Sequence, residues 1–451
     1  METIVVVGGG ISGMYAALKL KMVSKNREVI LLETQPRLGG LLSGIDFAGV
    51  TFDTGVHTFY ETGIEDLDRD LYDIAPPGGW IDLPGTKRDL GGAYYDGSMH
   101  YGNSYLGFEG LPNAEMGELI RDFMSIGQNE TEVPNNAAEF LTQRFGSEIS
   151  TRFLFPLVEK FTGRCPSDVH QNVASILPLT RINLLSSLID TRELTGDFYN
   201  SRLAFSDQRK LPENLIPKKK AFYPKGYGTQ TYVDAFEARL LSLGVKIYRS
   251  CQIDSVQNSE IVVGGIGNFH FDRLIWTPNP ITFSKFSDLE PQANPIPSIQ
   301  KTAIVSYLLS REPYMKDLYY GYSLEPSHLT HRFSSPFTFC PSSRVGDLYR
   351  FTNEVVFQSD LSSEQIEKRS TDELVSMGLI EKESIVGSLV SIVKGGYPDL
   401  SNSLVTDTLL RIEKIKERAS NNIEFIGVMS KPNLFFQNDV LLSAYNLVQS
   451  I

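Results

Sequence analysis

The sequence predicts an α/β protein built on a parallel sheet, with a second domain beside it. Three observations carry this reading. A β-branched run, TIVVV at residues 3–7, opens the chain. Apolar from Ile4 to Val7, it reads as a strand buried on both faces of a parallel sheet. The cluster Gly8-Gly9-Gly10-Ile11-Ser12-Gly13 follows at once and leads into the helical pattern MYAALKLK. A second apolar run, Val29–Leu32, ends on Glu33, twenty residues past Gly13. At 451 residues the chain exceeds what one simple core supports, so two domains are expected.

Each glycine has a physical task in dinucleotide binding. Gly8 allows a tight turn, Gly10 lets the backbone approach a pyrophosphate, and Gly13 lets helix pack closely on strand. The free N–H groups of a helix opening at Ile11 and Ser12 favour negative charge. Glu33, followed by Thr34, is placed to accept from ribose hydroxyls, and an acid there disfavours a 2′-phosphate.

Composition narrows the partners. The chain is 41% hydrophobic and 21% charged, with a formal net charge of -12. Such an acidic surface repels phosphate backbones, so no nucleic-acid partner is expected. No apolar run approaches bilayer length and no basic n-region precedes the first strand, so a cytoplasmic protein without membrane span is expected. Cys165, Cys251 and Cys340 are too few and too scattered for a metal site or disulfide framework. Each is expected to be a buried small hydrophobe.

ETQPRLGG, residues 33–40, resembles the E-x(3)-RxGG extension of flavoenzymes with the glutathione-reductase type of FAD fold, and more narrowly the amine oxidase and protoporphyrinogen oxidase superfamily. The resemblance implies FAD, with Arg37 screening the diphosphate and Gly39, Gly40 and Leu41 running beside the isoalloxazine. FYPKGYGTQ, from Phe222, is similar to the segment where that family's chain re-enters the FAD domain. Helix Thr231–Leu243 and strand Val245–Tyr248 follow. Cys251–Val256 resembles the strand over the adenine, with Ile253 in backbone contact. IVVGGIGNFHF then reads as a hairpin, and LIWTPNP as a strand with a proline exit. Strand Ile423–Gly427, then Asn438, Asp439 and helix Val440–Gln449, resemble the closing motif that faces pyrophosphate and flavin. Relatives carry glycine-arginine where this chain has Gly427-Val428.

The implied fold class is α/β: a Rossmann-like FAD-binding domain with a discontinuous α+β substrate domain inserted. The FAD domain comprises 1–83, 221–290 and 412–451. The substrate domain comprises a helical part, 84–220, and a sheet part, 291–411, whose strands include Ser298–Leu309, Tyr319–Tyr322, His331–Phe333 and Asn353–Val355. Residues 210–220, KLPENLIPKKK, read as a linker with solvated lysines.

DTGVHTFYE, residues 53–61, resembles the G-x-H-x-F segment of UDP-galactopyranose mutase and of polysaccharide-pathway oxidoreductases, where it lines the flavin. Gly55, Val56 and His57 are implied flavin contacts, and His57 a candidate acid–base. Phe59 and Tyr60 are equally core or site. Lys301 matches, within a residue or two, a lysine that holds water at flavin N5; a surface lysine at a strand start is the alternative. Arg332 and Arg164 either bind an anionic substrate group or form structural ion pairs. Tyr319, Tyr320, Tyr322 and Tyr397 are pocket or core. His331 has no evident partner. None of the cysteines matches a covalent attachment point, so FAD is expected to be non-covalent.

The expected function is oxidoreduction, with hydride passing from a small, polar or anionic substrate, such as a nucleotide sugar or an amine, to flavin N5. The alternative is a mutase-like isomerase that uses reduced FAD. No metal is expected.

Overall fold

Five parallel strands drawn from three distant stretches form one sheet, in the order Lys246–Tyr248, Glu28–Leu32 (β2), Thr3–Val7 (β1), Arg273–Trp276 and Ile423–Phe425. The computed structural model describes the chain except residues 89, 128–132, 185–195, 258, 288–299, 394, 420–421 and 432. Expectations at Ser298 and at the 290/291 boundary lie outside the described residues.

The registers explain the sequence runs. Thr3 pairs with Glu28 and Val7 with Leu32, and β1 is flanked by strands on both sides, so Ile4–Val7 are buried on both faces. Helix α1, Ile11–Val23, covers one face and is itself packed by the helix Gln437–Ser450. Its burial is nearly complete from Ser12 to Lys21. That explains the small residues and the buried Lys19, whose ammonium meets Asp70 at 2.6 Å. A meander, Gln252–Gln257, Glu260–Gly264 and Gly267–His270, covers the other face.

A second sheet has seven strands, in the order Ile385–Val393, Lys301–Leu309, Tyr349–Phe357, Thr330–Ser334, Tyr320–Ser323, Gly91–Tyr95 and Ser98–Tyr101. Its last two strands come from residues 84–220, so that stretch is not helical alone. Glycines 91 and 92 make room there: a Cβ on Gly92 would lie 2.5 Å from Leu318. The helices Asn113–Met124, Ala137–Phe145 and Phe155–Thr162 share a separate apolar core.

Boundaries shift slightly from expectation. Helix Thr229–Ser242 begins two residues early, and Gln437–Ser450 begins at Gln437. Residues 210–220 are less of a free linker than their composition implies. Lys219 donates to the Thr62 carbonyl at 2.5 Å, and Lys220 pairs with Asp82 at 3.2 Å. Among the described residues, no helix is long and apolar enough to cross a membrane.

Candidate active site

The glycine turn sits at the carboxyl edge of the parallel sheet. Gly8 has φ +97°, open only to glycine without strain, and its N–H donates to Leu32 O at 2.8 Å. A Cβ on Gly13 would lie 2.0 Å from the Gly8 carbonyl oxygen, so helix and strand touch through backbone. A Cβ on Gly10 would meet nothing within 4 Å. Helix α1 starts immediately after it, with no side-chain cap and no acid in its first turn. Its N-terminal N–H groups at Ile11, Ser12 and Gly13 thus face an opening that an anion can enter.

Three further segments close around this edge. Gly39 bridges Gly10, with its N–H donating to Gly9 O at 2.7 Å. A Cβ on Gly40 would sit 3.2 Å from the Gly10 Cα, and Leu41 beside it is exposed. Thr277, a residue the sequence reading passed over, is wedged between Gly8 and Gly427. A Cβ on either glycine would lie 2.3 Å from it. Glu33 is buried, taking the Gly9 N–H at 2.6 Å and the Gln35 N–H at 2.7 Å, with Thr34 Oγ1 at 3.2 Å. Cys251 N–H donates to Glu33 O at 2.9 Å. That bond docks the meander beside the acid, and Ile253 lies where the meander's register slips. The glycines, the uncapped helix and Glu33 fit a dinucleotide lying along α1 toward Gly40.

Two expected contacts are occupied otherwise. Arg37 is half-exposed and paired with Asp46 at 2.5 Å. The Asp439 carboxylate turns back to the Phe436 N–H at 3.1 Å and caps its own helix. Asn438 Nδ2 reaches Glu61 O at 3.4 Å, and Val440 is buried.

DTGVHTFYE connects the two sheets. Asp53 is buried and accepts from the Tyr223 hydroxyl, from Thr229 N–H at 2.8 Å and from Thr229 Oγ1 at 3.1 Å. Burial raises its pKa, against the pull of those bonds and of His57. Thr54 Oγ1 donates to Ser43 O at 2.6 Å, and Thr229 Oγ1 to Leu42 O at 2.8 Å. These bonds tie the His57 segment to the Gly39–Gly40 loop.

On its other side the segment meets the seven-stranded sheet at Glu354. This buried carboxylate takes Arg332 Nε at 2.6 Å and Nη2 at 2.9 Å, the Tyr397 hydroxyl at 2.7 Å and the Val56 N–H at 3.1 Å. Arg332 stands directly opposite Glu354 in the strand pairing. Gly55, at φ +92°, is required here, because a Cβ would lie 2.6 Å from the Glu354 carboxyl carbon. His57 N–H donates to the Tyr319 hydroxyl at 3.3 Å. The His57 ring lies with Nε2 2.9 Å from the Thr54 carbonyl. A carbonyl only accepts, so Nε2 carries the hydrogen and Nδ1 is the acceptor of the neutral ring. Burial holds the His57 pKa below the ordinary imidazole value, with Asp53 opposing and Arg332 reinforcing that shift.

The remaining candidates separate clearly. Arg332 is a structural ion pair with Glu354, and Arg164 pairs with Asp399 at 3.2 Å. Lys301 is not brought to the site: it stands half-exposed at a strand start and pairs with Asp360. Phe59 is core, stacked on Phe222. The half-buried Tyr60 carries the Arg88 guanidinium 4.9 Å above its ring. Tyr320 packs edge-on against Tyr319 and Tyr322. His331 is buried among the rings of Phe161, Tyr322 and Tyr397. Cys251 and Cys340 are buried, but Cys165 is exposed, contrary to expectation. Glu354 and Asp53 had a readable signal: an acid inside an apolar strand, YRFTNEVVF, or straight after one must find a partner.

The family described as NAD(P)-binding Rossmann-like domain matches residues 6–74. No curated protein matches the chain by sequence. Among solved structures, reduced UDP-galactopyranose mutase superposes with a TM-score of 0.75 at 17% identity, over 100% of this chain and 95% of the other. A putative protoporphyrinogen oxidase from Exiguobacterium sp. 255-15 gives 0.68 at 14% identity, over 100% and 98%. Wild-type putrescine oxidase bound to putrescine gives 0.60 at 13% identity, over 100% and 98%. In fold, the chain is similar to all three of these structures over its whole length.

Proposed function

We propose that this chain binds FAD non-covalently and is an FAD-dependent oxidoreductase acting on a small polar or anionic substrate, a nucleotide sugar or an amine. The observation that carries the reading is the open space beside Gly10 at the uncapped start of α1, with Gly39 bridging Gly10 and the following loop tied to the His57 segment by the Thr54–Ser43 bond. The α1 N–H groups hold the pyrophosphate, and Glu33 accepts from the ribose. Bound FAD supplies the hydride acceptor, N5, that no side chain can supply. His57, neutral and with Nδ1 as acceptor, takes a proton from the substrate or orients it by a hydrogen bond. Asp53 and Glu354 fix the segment from either side, so the ring is positioned before substrate arrives.

A mutase-like isomerase using reduced FAD is the second reading. The G-x-H-x-F segment and the superposition on the mutase, at a TM-score of 0.75, favour it.

The first test is the visible spectrum of the purified protein and the flavin content of the supernatant after acid precipitation. A yellow protein that releases stoichiometric FAD is expected. A colourless protein that FAD cannot reconstitute refutes the proposal, and flavin retained in the pellet refutes non-covalent binding. Anaerobic substrate then separates the two chemistries. An oxidoreductase bleaches; an isomerase turns over only after reduction, with no net electron flow.

A further inference from the structure

A small cavity lies where the helix Phe155–Thr162 meets the seven-stranded sheet. Its volume is about 10 Å³, room for a single water molecule. Leu157, Leu177, Leu179 and Leu324 make its walls apolar, and Lys160 and His331 also line it. The flavin reading uses neither.

A β-bulge presents His331. Thr330 pairs with Val355 and Arg332 with Glu354, so His331 is an extra residue in its strand. Such a bulge re-aims the side chains around it. Arg332 meets Glu354, whereas His331 is buried and its Nε2 meets no hydrogen-bond partner among the described residues. Lys160 reaches across from the helix. Its ammonium donates to the Ser323 carbonyl at 2.7 Å and to the Thr330 carbonyl at 3.0 Å, just past Tyr322, where the pairing of those two strands stops. That leaves one of its three hydrogens for the cavity.

The charged groups facing the pair are engaged elsewhere. Glu373 takes the Leu329 and Thr330 N–H groups at 2.8 Å and Thr330 Oγ1 at 2.7 Å, with Arg369 at 3.8 Å. Glu325 takes the Gly97 N–H at 3.2 Å, and His328 Nδ1 lies 2.9 Å from Ser323 Oγ. Tyr397, edge-on to His331, donates to Glu354. A lysine held by carbonyls between apolar walls releases its proton more readily than one in water. Burial pushes Lys160 down to about 7, against the pull of Glu373 and Glu325. Burial, Arg332 and Lys160 hold His331 well below the ordinary imidazole range, so the proton rests on Lys160 and His331 accepts.

We infer that one water fills this cavity and bridges Lys160 to His331 Nε2, making the pair a proton-exchanging latch between this helix and the sheet. Charged, the ammonium donates to two carbonyls and to the water, which donates to His331. Neutral, the amine accepts from the water, and the other imidazole tautomer donates to it. Every hydrogen bond survives in both states, so the proton comes and goes without leaving a buried group unpaired. The inference stands apart from the flavin reading, because it needs neither cofactor nor turnover.

An unfolded lysine keeps its proton up to about pH 10.4. Folding therefore releases it above about 7, so this contribution to stability rises with pH from there and is level below. The test is urea unfolding of the full-length protein from about pH 6 to about pH 9.5, beside Lys160→Met. Relative to that variant, the wild-type unfolding constant should fall about tenfold per pH unit above neutrality. The comparison cancels Cys251 and Cys340, whose thiols burial pushes up and which tilt both profiles the other way. His331→Leu removes the water's second partner, so the rise should begin at lower pH. A crystal structure of the wild type needs no variant, and one ordered water within hydrogen-bond reach of Lys160 Nζ and His331 Nε2 is expected. A dry cavity overturns the inference. So do parallel wild-type and Lys160→Met profiles, or a rise that begins at the same pH in His331→Leu.

Discussion

The nucleotide edge and the His57–Glu354 junction are built by opposite means. The edge is made of backbone: Gly13 approaches Gly8, Gly39 approaches Gly9 and Gly40 approaches Gly10 because they lack side chains. The junction is made of side chains reaching across the fold. Glu354 accepts from Val56, a residue 298 positions away, and Asp53 from Thr229, 176 away. Where its glycines touch, as Gly13 does the Gly8 carbonyl, the backbone site cannot tolerate an added atom, and the side-chain site cannot tolerate a lost one. Glu354→Ala therefore has the largest expected effect. It removes a buried carboxylate and leaves the half-buried Arg332 without its counter-charge, a loss of about 3 kcal/mol. Urea denaturation measures it. Replacing both partners with apolar residues, Glu354→Leu with Arg332→Met, is expected to recover most of that loss. A single-variant loss under about 1 kcal/mol would mean that Arg332 finds another partner, and the junction would not be the rigid element described.

The edge breaks in the opposite direction, and two glycines separate packing from binding. Gly13→Ala places a methyl against a carbonyl oxygen, with an expected cost of about 1–3 kcal/mol. Gly10→Ala points its methyl into open space at a φ of -69°, which alanine adopts freely. Stability should change by less than about 0.5 kcal/mol. The methyl occupies the pyrophosphate's approach, however, so purified Gly10→Ala should retain far less flavin. Melting temperature and flavin-to-protein ratio, read together, decide this. Full flavin in Gly10→Ala would move the pyrophosphate elsewhere.

A third comparison lies within the junction, between Asp53 and His57. Folding lowers the His57 pKa below its ordinary 6.5. The unfolded chain then takes up the proton first, so stability is complete above about pH 6.5 and falls as pH drops through the window below it. The slope is at most about 1.4 kcal/mol per pH unit. Folding raises the Asp53 pKa above 3.8, so its contribution runs the other way. Stability falls as pH rises from 3.8 to the folded value, because the buried acid must ionise. Melting curves across pH test both. His57→Gln should flatten the acid side, with His331 and His170, also lowered, leaving a residual slope. Asp53→Asn should flatten the opposing trend. An unchanged profile in His57→Gln would mean that the ring titrates like a solvated imidazole.

What could be read in advance follows the same division. The strand, the glycine turn, the helix and Glu33 lie within about 30 consecutive residues, and each carries its own steric or electrostatic reason. Their geometry was legible because it is local. The partners of DTGVHTFYE were not, because no period in the sequence relates residue 53 to 229 or 56 to 354. The acid in YRFTNEVVF announced that it needed a partner but not which one. Strands Gly91–Tyr95 and Ser98–Tyr101 escaped notice for a related reason. GGAYY and SMHY are short and rich in glycine or polar residues, and only pairing beside Tyr320–Ser323 makes them strands. Cys165 was misread because composition alone assigns cysteines to the interior.

Lys301 gives the smallest expected effect and the sharpest control. The resemblance placed a lysine near the flavin within a residue or two, and the fold instead sets it at the start of the strand Lys301–Leu309. There its register partner is Phe357, three positions along the neighbouring strand from Glu354. Its ammonium pairs with Asp360, whose side chain is 97% exposed. A pair so open to water and salt is worth well under about 1 kcal/mol. Lys301→Ala should shift stability by no more than about 0.5 kcal/mol. It should leave flavin content and anaerobic reduction rates as they are. A rate loss of tenfold or more with unchanged stability would show that Lys301 reaches the reacting atoms. The proposed proton-handling role of His57 would then have to be redrawn around that strand.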